Sequence, residues 1–252
     1  MQKRLSQQFT GNAITLDITV SAARTRSCVT VIESGGQATE LVEEALPVEG
    51  DEAEAFLARA LLACETSRVV VLAGSLPRGL PPETYAHCTR AAHAAGAIVV
   101  IDAQGLPLRR ALEARPDYVK INREELSNTL DVAIAEGEIG KGAMRLQQMG
   151  AGHVIITDGA GKVHMRHADG CSTVLTPPMI PTVNPVGSGD AMCGALALAL
   201  YRGEAPATAL CLATAAGSAN AASMIPGEVD AERAGIYLEQ LLKQLRTDSD
   251  PQ

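Results

Sequence analysis

The chain has no tryptophan, and only two phenylalanines and four tyrosines in 252 residues. Aromatic platforms on which the bases of a single strand could stack are therefore scarce. An excess of positive charge is missing too. The formal net charge is −8 at pH 7, which speaks against a nucleic-acid partner. An anionic substrate would have to be attracted by local Lys and Arg against the overall field. No apolar run reaches the length of a membrane span, "AMCGALALALY" at 191–201 being too short. No N-terminal stretch has the charged, apolar and cleavage regions of a signal peptide. C-x-x-C pairs are also absent: Cys28, Cys64, Cys88, Cys171, Cys193 and Cys211 are scattered. They read as reduced, mostly buried thiols. A cytoplasmic protein with no membrane partner is expected.

From residue 52 onward, helix-period and strand-period segments alternate. Ala53, Phe56, Leu57, Ala60 and Leu61 share a helical face, and "VVVLA" follows at 69–73. "PPETYAHCTRAAHAAG" opens on prolines and closes on glycine, the signature of a helix. Short apolar strands follow at 97–101, 118–121 and 153–157, with helical stretches around "LPLRRALEA" and "GKGAMRLQQMG" between them. Such alternation predicts βαβ units and a mostly parallel, doubly wound α/β sheet covered on both faces. "GAGKVHMRHADGCSTVL" reads as a glycine turn and a hairpin added to that sheet. Three helices are expected to close the chain, at 189–202, about 206–222 and 230–246. Before all this, "CVTVIESGGQATELVEEA" reads as a hairpin turning at Ser34-Gly35-Gly36, a candidate lid or dimer contact. The expected division is a partial lid at 1–50, an α/β domain at 51–247 and a disordered tail at 248–252.

In doubly wound sheets, ligands bind beyond the carboxyl ends of the strands. Here those ends read "GSLPRG", Asp102, "NREE" and "TDGAG". Four polar or small-residue endings together favour a site, though no single one is diagnostic. "NPVGSGDAMCGALALAL" at 184–200 places a glycine turn before an apolar helix, with Asp190 as its only charge. Unpaired N–H groups and the positive dipole end of such a helix suit an anion. On local grounds Asp190 could equally be a mere partner of that dipole. The stretch is neither a Walker A loop nor a Rossmann fingerprint, and "GAGK" at 159–162 is not a Walker A loop either. The histidines, His164 and His167 included, read as surface hairpin residues without acidic partners, not as metal ligands.

Taken together, "NPVGSGDAMCGALALAL", "GSLPRGLPPETY", "IDAQGLPLRRAL", "YVKINREEL" and "IITDGAGKV" resemble the ribokinase-like (PfkB-type) carbohydrate kinases, in order and spacing, over about residues 25–246. "NPVGSGD" with "GSLP" is most similar to the branch acting on phosphorylated hexoses, such as 1-phosphofructokinase and tagatose-6-phosphate kinase. The resemblance implies an ATP- and Mg²⁺-dependent kinase of a sugar phosphate. Asp190 would be the base that takes the proton of the attacking hydroxyl. Gly187, Ser188 and Gly189 would offer backbone N–H groups to the transferred phosphoryl oxygens. Asn122 and Glu125 match an N-x-x-E element that organises Mg²⁺, although an N-cap with a capping box explains the same spacing. Lys120 would lie near the phosphates. Thr157, Gly159 and Gly161 would lie along the nucleotide, and Asn220 would border the adenine, unless its alanine-rich helix is simply closely packed. Arg26 and Ser75 would contact the sugar phosphate, with a merely solvated strand-end arginine the alternative for Arg26. K⁺ near Asn184 and Val186 and a homodimer through the lid hairpin are further implications.

The family's opening strand, with its substrate-binding Asp, and its "GGKGxN"-like glycine motif have no counterpart here. The expectation is a chain that begins partway into the family pattern, with part of the sugar pocket and one sheet edge lacking. Ile121 replaces the usual proline of "KPN", and Lys162 stands where glycine is usual. Two other readings therefore stand beside the kinase: a truncated nucleotide-binding paralogue without sugar kinase activity, and a kinase of an unphosphorylated sugar or a nucleoside.

Overall fold

A computed structural model of the chain describes residues 14–32 and 38–249. Its first element is the antiparallel hairpin β1 (Cys28–Ile32) and β2 (Ala38–Val42), registered Cys28 to Val42 and Thr30 to Glu40. The expected turn at Ser34-Gly35-Gly36 lies outside the described residues. Helix α1 (Gly50–Glu65) leads into β3 (Val69–Ala73), and α2 (Thr84–Ala94) into β4 (Ile98–Asp102). Helix α3 (Gly105–Leu112) precedes β5 (Tyr118–Asn122), and α4 (Arg123–Leu130) and α5 (Ile139–Met149) precede β6 (His153–Thr157). A hairpin, β7 (Val163–Arg166) and β8 (Ser172–Leu175), then gives way to α6 (Ser188–Tyr201), α7 (Pro206–Ala221) and α8 (Ala231–Ser249).

The six-stranded sheet runs β3-β4-β5-β6-β7-β8. The pairs from β3 to β6 are parallel, and β7 and β8 add antiparallel. Its strands are apolar on both sides because both faces are covered. Val99, Ile101, Val119, Ile121, Val154 and Ile156 point into one core with Leu108, Leu112, Leu126 and Leu146 of the helices. The intervening Val100, Tyr118 and Ile155 point into a second core with Leu196, Ala199, Leu210 and Cys211. Alternation along β5 therefore sends Lys120 to the same side as Tyr118, under α6.

The closing helices fall within a residue or two of their expected limits, except that α8 runs on through Ser249 into the tail expected to be disordered. The separate helix α4 is the element that periodicity did not mark. At eight residues its sequence, "REELSNTL", is too short and polar to show a stripe, and its start is set by a cap instead. Among the described residues β3 forms one sheet edge, and its Val71 is exposed.

Candidate active site

Polar groups gather where β4, β5 and β6 end and α6 begins. A cleft of about 1320 Å³ opens there, lined by Lys120, Asn122, Thr157, Gly159, Ser188 and Gly189 among others. That volume exceeds the several hundred Å³ typical of small-molecule sites, roughly 300–1000 Å³, and suits an elongated ligand. Gly217, Ser218 and Ala221 of α7 form one wall, and Pro177, Pro178, Met179, Ile180 and Thr182 of the segment after β8 form another.

The floor is a buried ion pair. Lys120 Nζ donates to Asp102 Oδ2 at 2.9 Å, with the two side chains only 7% and 14% exposed. The pairing follows from the sheet: β4 and β5 align Val100 with Tyr118, so two residues on, Asp102 stands beside Lys120. Burial works to lower the lysine's pKa, but the charge of Asp102, with smaller help from Glu125, outweighs it. The ammonium therefore holds its proton more tightly than an ordinary lysine. Cys193 Sγ donates to the same carboxylate oxygen at 3.3 Å. Burial and the Asp102 charge push that thiol well up, so it serves as a neutral donor.

Directly above lies the turn into α6. Gly187 takes a left-handed φ of 82°, and a Cβ there would stand 2.6 Å from the Gly227 backbone nitrogen. A Cβ on Gly189 would stand 2.6 Å from Lys120 Nζ. Glycine at 189 thus lets the backbone close onto the ammonium. Ser188 N donates to Pro185 O and Ala191 N to Gly187 O. The N–H groups of Gly187, Gly189 and Asp190 remain free for an anion, and the helix dipole adds to their pull. Asp190 is exposed, one residue beyond the cleft lining.

Across the cleft, Asn122 accepts from Glu125 N at 2.8 Å while Glu125 Oε2 accepts from Asn122 N at 2.9 Å. This is a complete capping box, the local alternative to a role at the metal; it uses one oxygen of Glu125. Arg123, between them, reaches Asp158 at 2.8 Å and lines the cleft. That cation was missed by sequence reasoning, though its place directly after the cap could have signalled it.

Other expected residues are placed less evenly. Thr157 and Gly159 line the cleft, whereas Gly161 closes the Asp158 turn through its amide and does not. Asn220 is fully buried behind the cleft wall, which Ser218 and Ala221 line. Its helix packs too closely for the side chain to reach the surface. Ser75 lines a second, smaller cavity of about 330 Å³ with Thr19, Ser21, Phe56 and Tyr85. Arg26 is exposed and lines neither cavity. Asn184 is buried, donating to Met224 O and accepting from Val186 N. The histidines also depart from expectation. His93 meets Asp117 at 3.0 Å, and His153 stacks on Tyr118 with His167 edge-on to it. Among the described residues no three His, Cys, Asp or Glu side chains form a metal cluster, and no helix is long and apolar enough to cross a membrane.

Comparison with known proteins yields one family. The model of the pfkB family carbohydrate kinases matches residues 1–229. Phosphofructokinase-2 from Escherichia coli, solved in complex with potassium, superposes with a TM-score of 0.84 at 22% identity, covering 95% of this chain and 78% of that one. Ribokinase from Arabidopsis thaliana, complexed with ribose and ATP, gives 0.72 at 18% identity over 95% and 78%. A possible 1-phosphofructokinase from Thermotoga maritima gives 0.76 at 19% identity over 85% and 69%.

Proposed function

The chain belongs to the pfkB family of carbohydrate kinases, and on that premise we propose that it transfers the γ-phosphoryl group of ATP to a hydroxyl of a hexose phosphate, in the manner of a 1-phosphofructokinase or tagatose-6-phosphate kinase. The observation that carries this reading is the meeting of three features at one point. These are the free N–H groups of Gly187, Gly189 and Asp190, the buried Lys120 ammonium beneath them, and the Asp190 carboxylate at the cleft's edge.

Triphosphate lies along the cleft with its terminal phosphoryl group at the α6 turn. The turn and Lys120 offset charge on the equatorial oxygens, which in phosphoryl transfer is most of what a protein must do. Because Asp102 already neutralises Lys120, the phosphate meets an oriented donor rather than a loose charge. The substrate hydroxyl gives its proton to Asp190 as its oxygen bonds to the γ-phosphorus, and the bond to the bridging oxygen of ADP breaks. The amide oxygen of Asn122 and the second carboxylate oxygen of Glu125 would hold Mg²⁺, an ion that takes oxygen ligands and keeps several waters. When bound, it neutralises charge between the β- and γ-phosphates. Thr157 and Gly159 border the nucleotide. Potassium, which a solved relative binds, has its proposed place beside Asn184 and Val186.

The residues up to about 50 act as the lid. Val29, Val31, Leu41 and Val42 are at least half exposed on the hairpin, and a second copy of the chain is their proposed cover. Sedimentation as a monomer at assay concentration would remove that part of the reading.

A specific observation favours a second reading, nucleotide binding without sugar phosphorylation. Ser75 lies in a cavity separate from the cleft, and Arg26 lines neither. The deciding experiment follows ADP release from Mg-ATP with fructose 1-phosphate, tagatose 6-phosphate, fructose 6-phosphate and fructose. Release that depends on a phosphorylated sugar supports the first reading. ATP binding with no release for any sugar supports the second.

A further inference from the structure

Asn220 is an odd residue for its position. Helix α7 is buried almost all round, from Ala209 to Asn220, and its neighbours are alanine, glycine and serine. An alanine would fill such a place with no polar group to satisfy. An asparagine at 0% exposure costs desolvation unless each amide atom finds a partner.

It finds them in two separate segments. Its Oδ1 accepts from the Ser188 hydroxyl at 3.0 Å, in the first turn of α6. Its Nδ2 donates to Glu228 O at 3.2 Å and, at a longer 3.4 Å, to Ile225 O. The same loop already touches the phosphate turn, for the Gly227 nitrogen stands 2.6 Å from where a Cβ of Gly187 would be. Met224 O, also in that loop, accepts from Asn184 at the turn's other end. One buried side chain therefore joins the residue preceding Gly189 to the loop that backs Gly187.

We propose that Asn220 is a positioning residue: it clamps the 223–228 loop to Ser188 and so fixes the direction of the Gly187, Gly189 and Asp190 N–H groups that receive the transferred phosphoryl group. The inference deepens the kinase reading and rests on it for its chemical meaning. The clamp itself is a property of the protein without ligand. Preorganised donors act only if they are already aimed, so slack in this turn is read in turnover more than in nucleotide binding.

The test uses the full chain and two variants. Asn220→Asp keeps the shape and the acceptor for Ser188 but removes both donors to the loop. Asn220→Ala removes all three bonds. Hydrogen exchange is read by NMR at Ser188 and Ala191, whose amides donate within the turn, and at Val154–Ile156 in the sheet core as a reference for global stability. The expected result is exchange at Ser188 and Ala191 at least about tenfold faster in both variants with the sheet amides unchanged, together with a kcat loss of about tenfold or more and little change in the KM for ATP. Unchanged exchange at Ser188 and Ala191 overturns the proposal. Equal acceleration at every site overturns it as well, since Asn220 would then only be holding the fold together. If exchange responds as expected while the unaltered chain phosphorylates no sugar, the clamp stands and the kinase reading falls.

Discussion

The two sides of this molecule are held by different physics. The side proposed to hold phosphate is fixed by buried and half-buried, mutually satisfied polar groups: Lys120 with Asp102 and Cys193, Asn122 with Glu125, Ser188 with Asn220. They cluster about the carboxyl ends of β4 and β5 and the first turns of α6, backed by the two cores. The hairpin side, proposed as the lid, is held by ion pairs at the surface, Arg24 with Glu43 and Arg78 with Glu44, and by the backbone bond from Val48 N to Arg78 O. Exposed pairs are worth little, about 0–1 kcal/mol, because water and salt screen them. The contrast teaches where precision is built in. In the proposed reaction the donors are aimed before the substrate arrives, whereas the proposed lid would close over the sugar and open again.

The strongest challenge to this contrast is Lys120→Ala. Removing one partner of a buried pair strands the other, at a typical cost of about 3–5 kcal/mol. Denaturant unfolding of this variant is expected to show a loss of that order, along with lost turnover. A loss no larger than that of a surface substitution would place Asp102 and Lys120 in solvent contact and erase the distinction between the two sides.

A smaller effect comes from the far end of the rigid side. His153 is half-buried, and burial first, then the charge of His167, lowers its pKa below the ordinary histidine value of 6.5. As pH falls below that value, the unfolded chain binds the proton before the folded one does. Stability is therefore full above about pH 6.5 and is lost as pH falls toward the lowered folded value. Thermal melting at stepped pH should show this decline, and His153→Phe should flatten it. A decline of equal size in that variant assigns it to other groups.

The smallest effect belongs to the lid. Arg24→Ala is expected to change global stability by less than about 1 kcal/mol, measured by the same unfolding curves. A drop comparable with that of Lys120→Ala would show the hairpin side to be held as firmly as the core.

Much of the rigid side was legible in the sequence because its cause is local. Apolar strands at even intervals, helices opened by proline or closed by glycine, and the Asn122 to Glu125 spacing are all written within a few residues of one another. The two-faced sheet followed from them, as did the closing helices. What stayed hidden depends on distant partners. A lysine inside the apolar strand "YVKI" pointed to a phosphate but not to Asp102, 18 residues earlier and one strand across. The alanine-rich stretch around Asn220 hinted at close packing, but nothing local pointed to Ser188, 32 residues away. Helix α4 was too short for periodicity to separate it from its cap. On the lid side the hairpin was plain from its alternating residues, yet spacing could not say whether Arg26 or Ser75 reaches the cleft, because no core sets their direction.

The central claim is that Asp190 and the α6 turn form a working phosphoryl-transfer centre. Its most direct test compares sugar-dependent ADP release by the unaltered chain and by Asp190→Asn, at saturating Mg-ATP, with nucleotide affinity measured in parallel. The account predicts a loss of about 10²–10⁴ in kcat on removing the positioned base, with ATP bound as before. Equal turnover by the two proteins would contradict it, because the proton of the attacking hydroxyl would then be going somewhere other than Asp190.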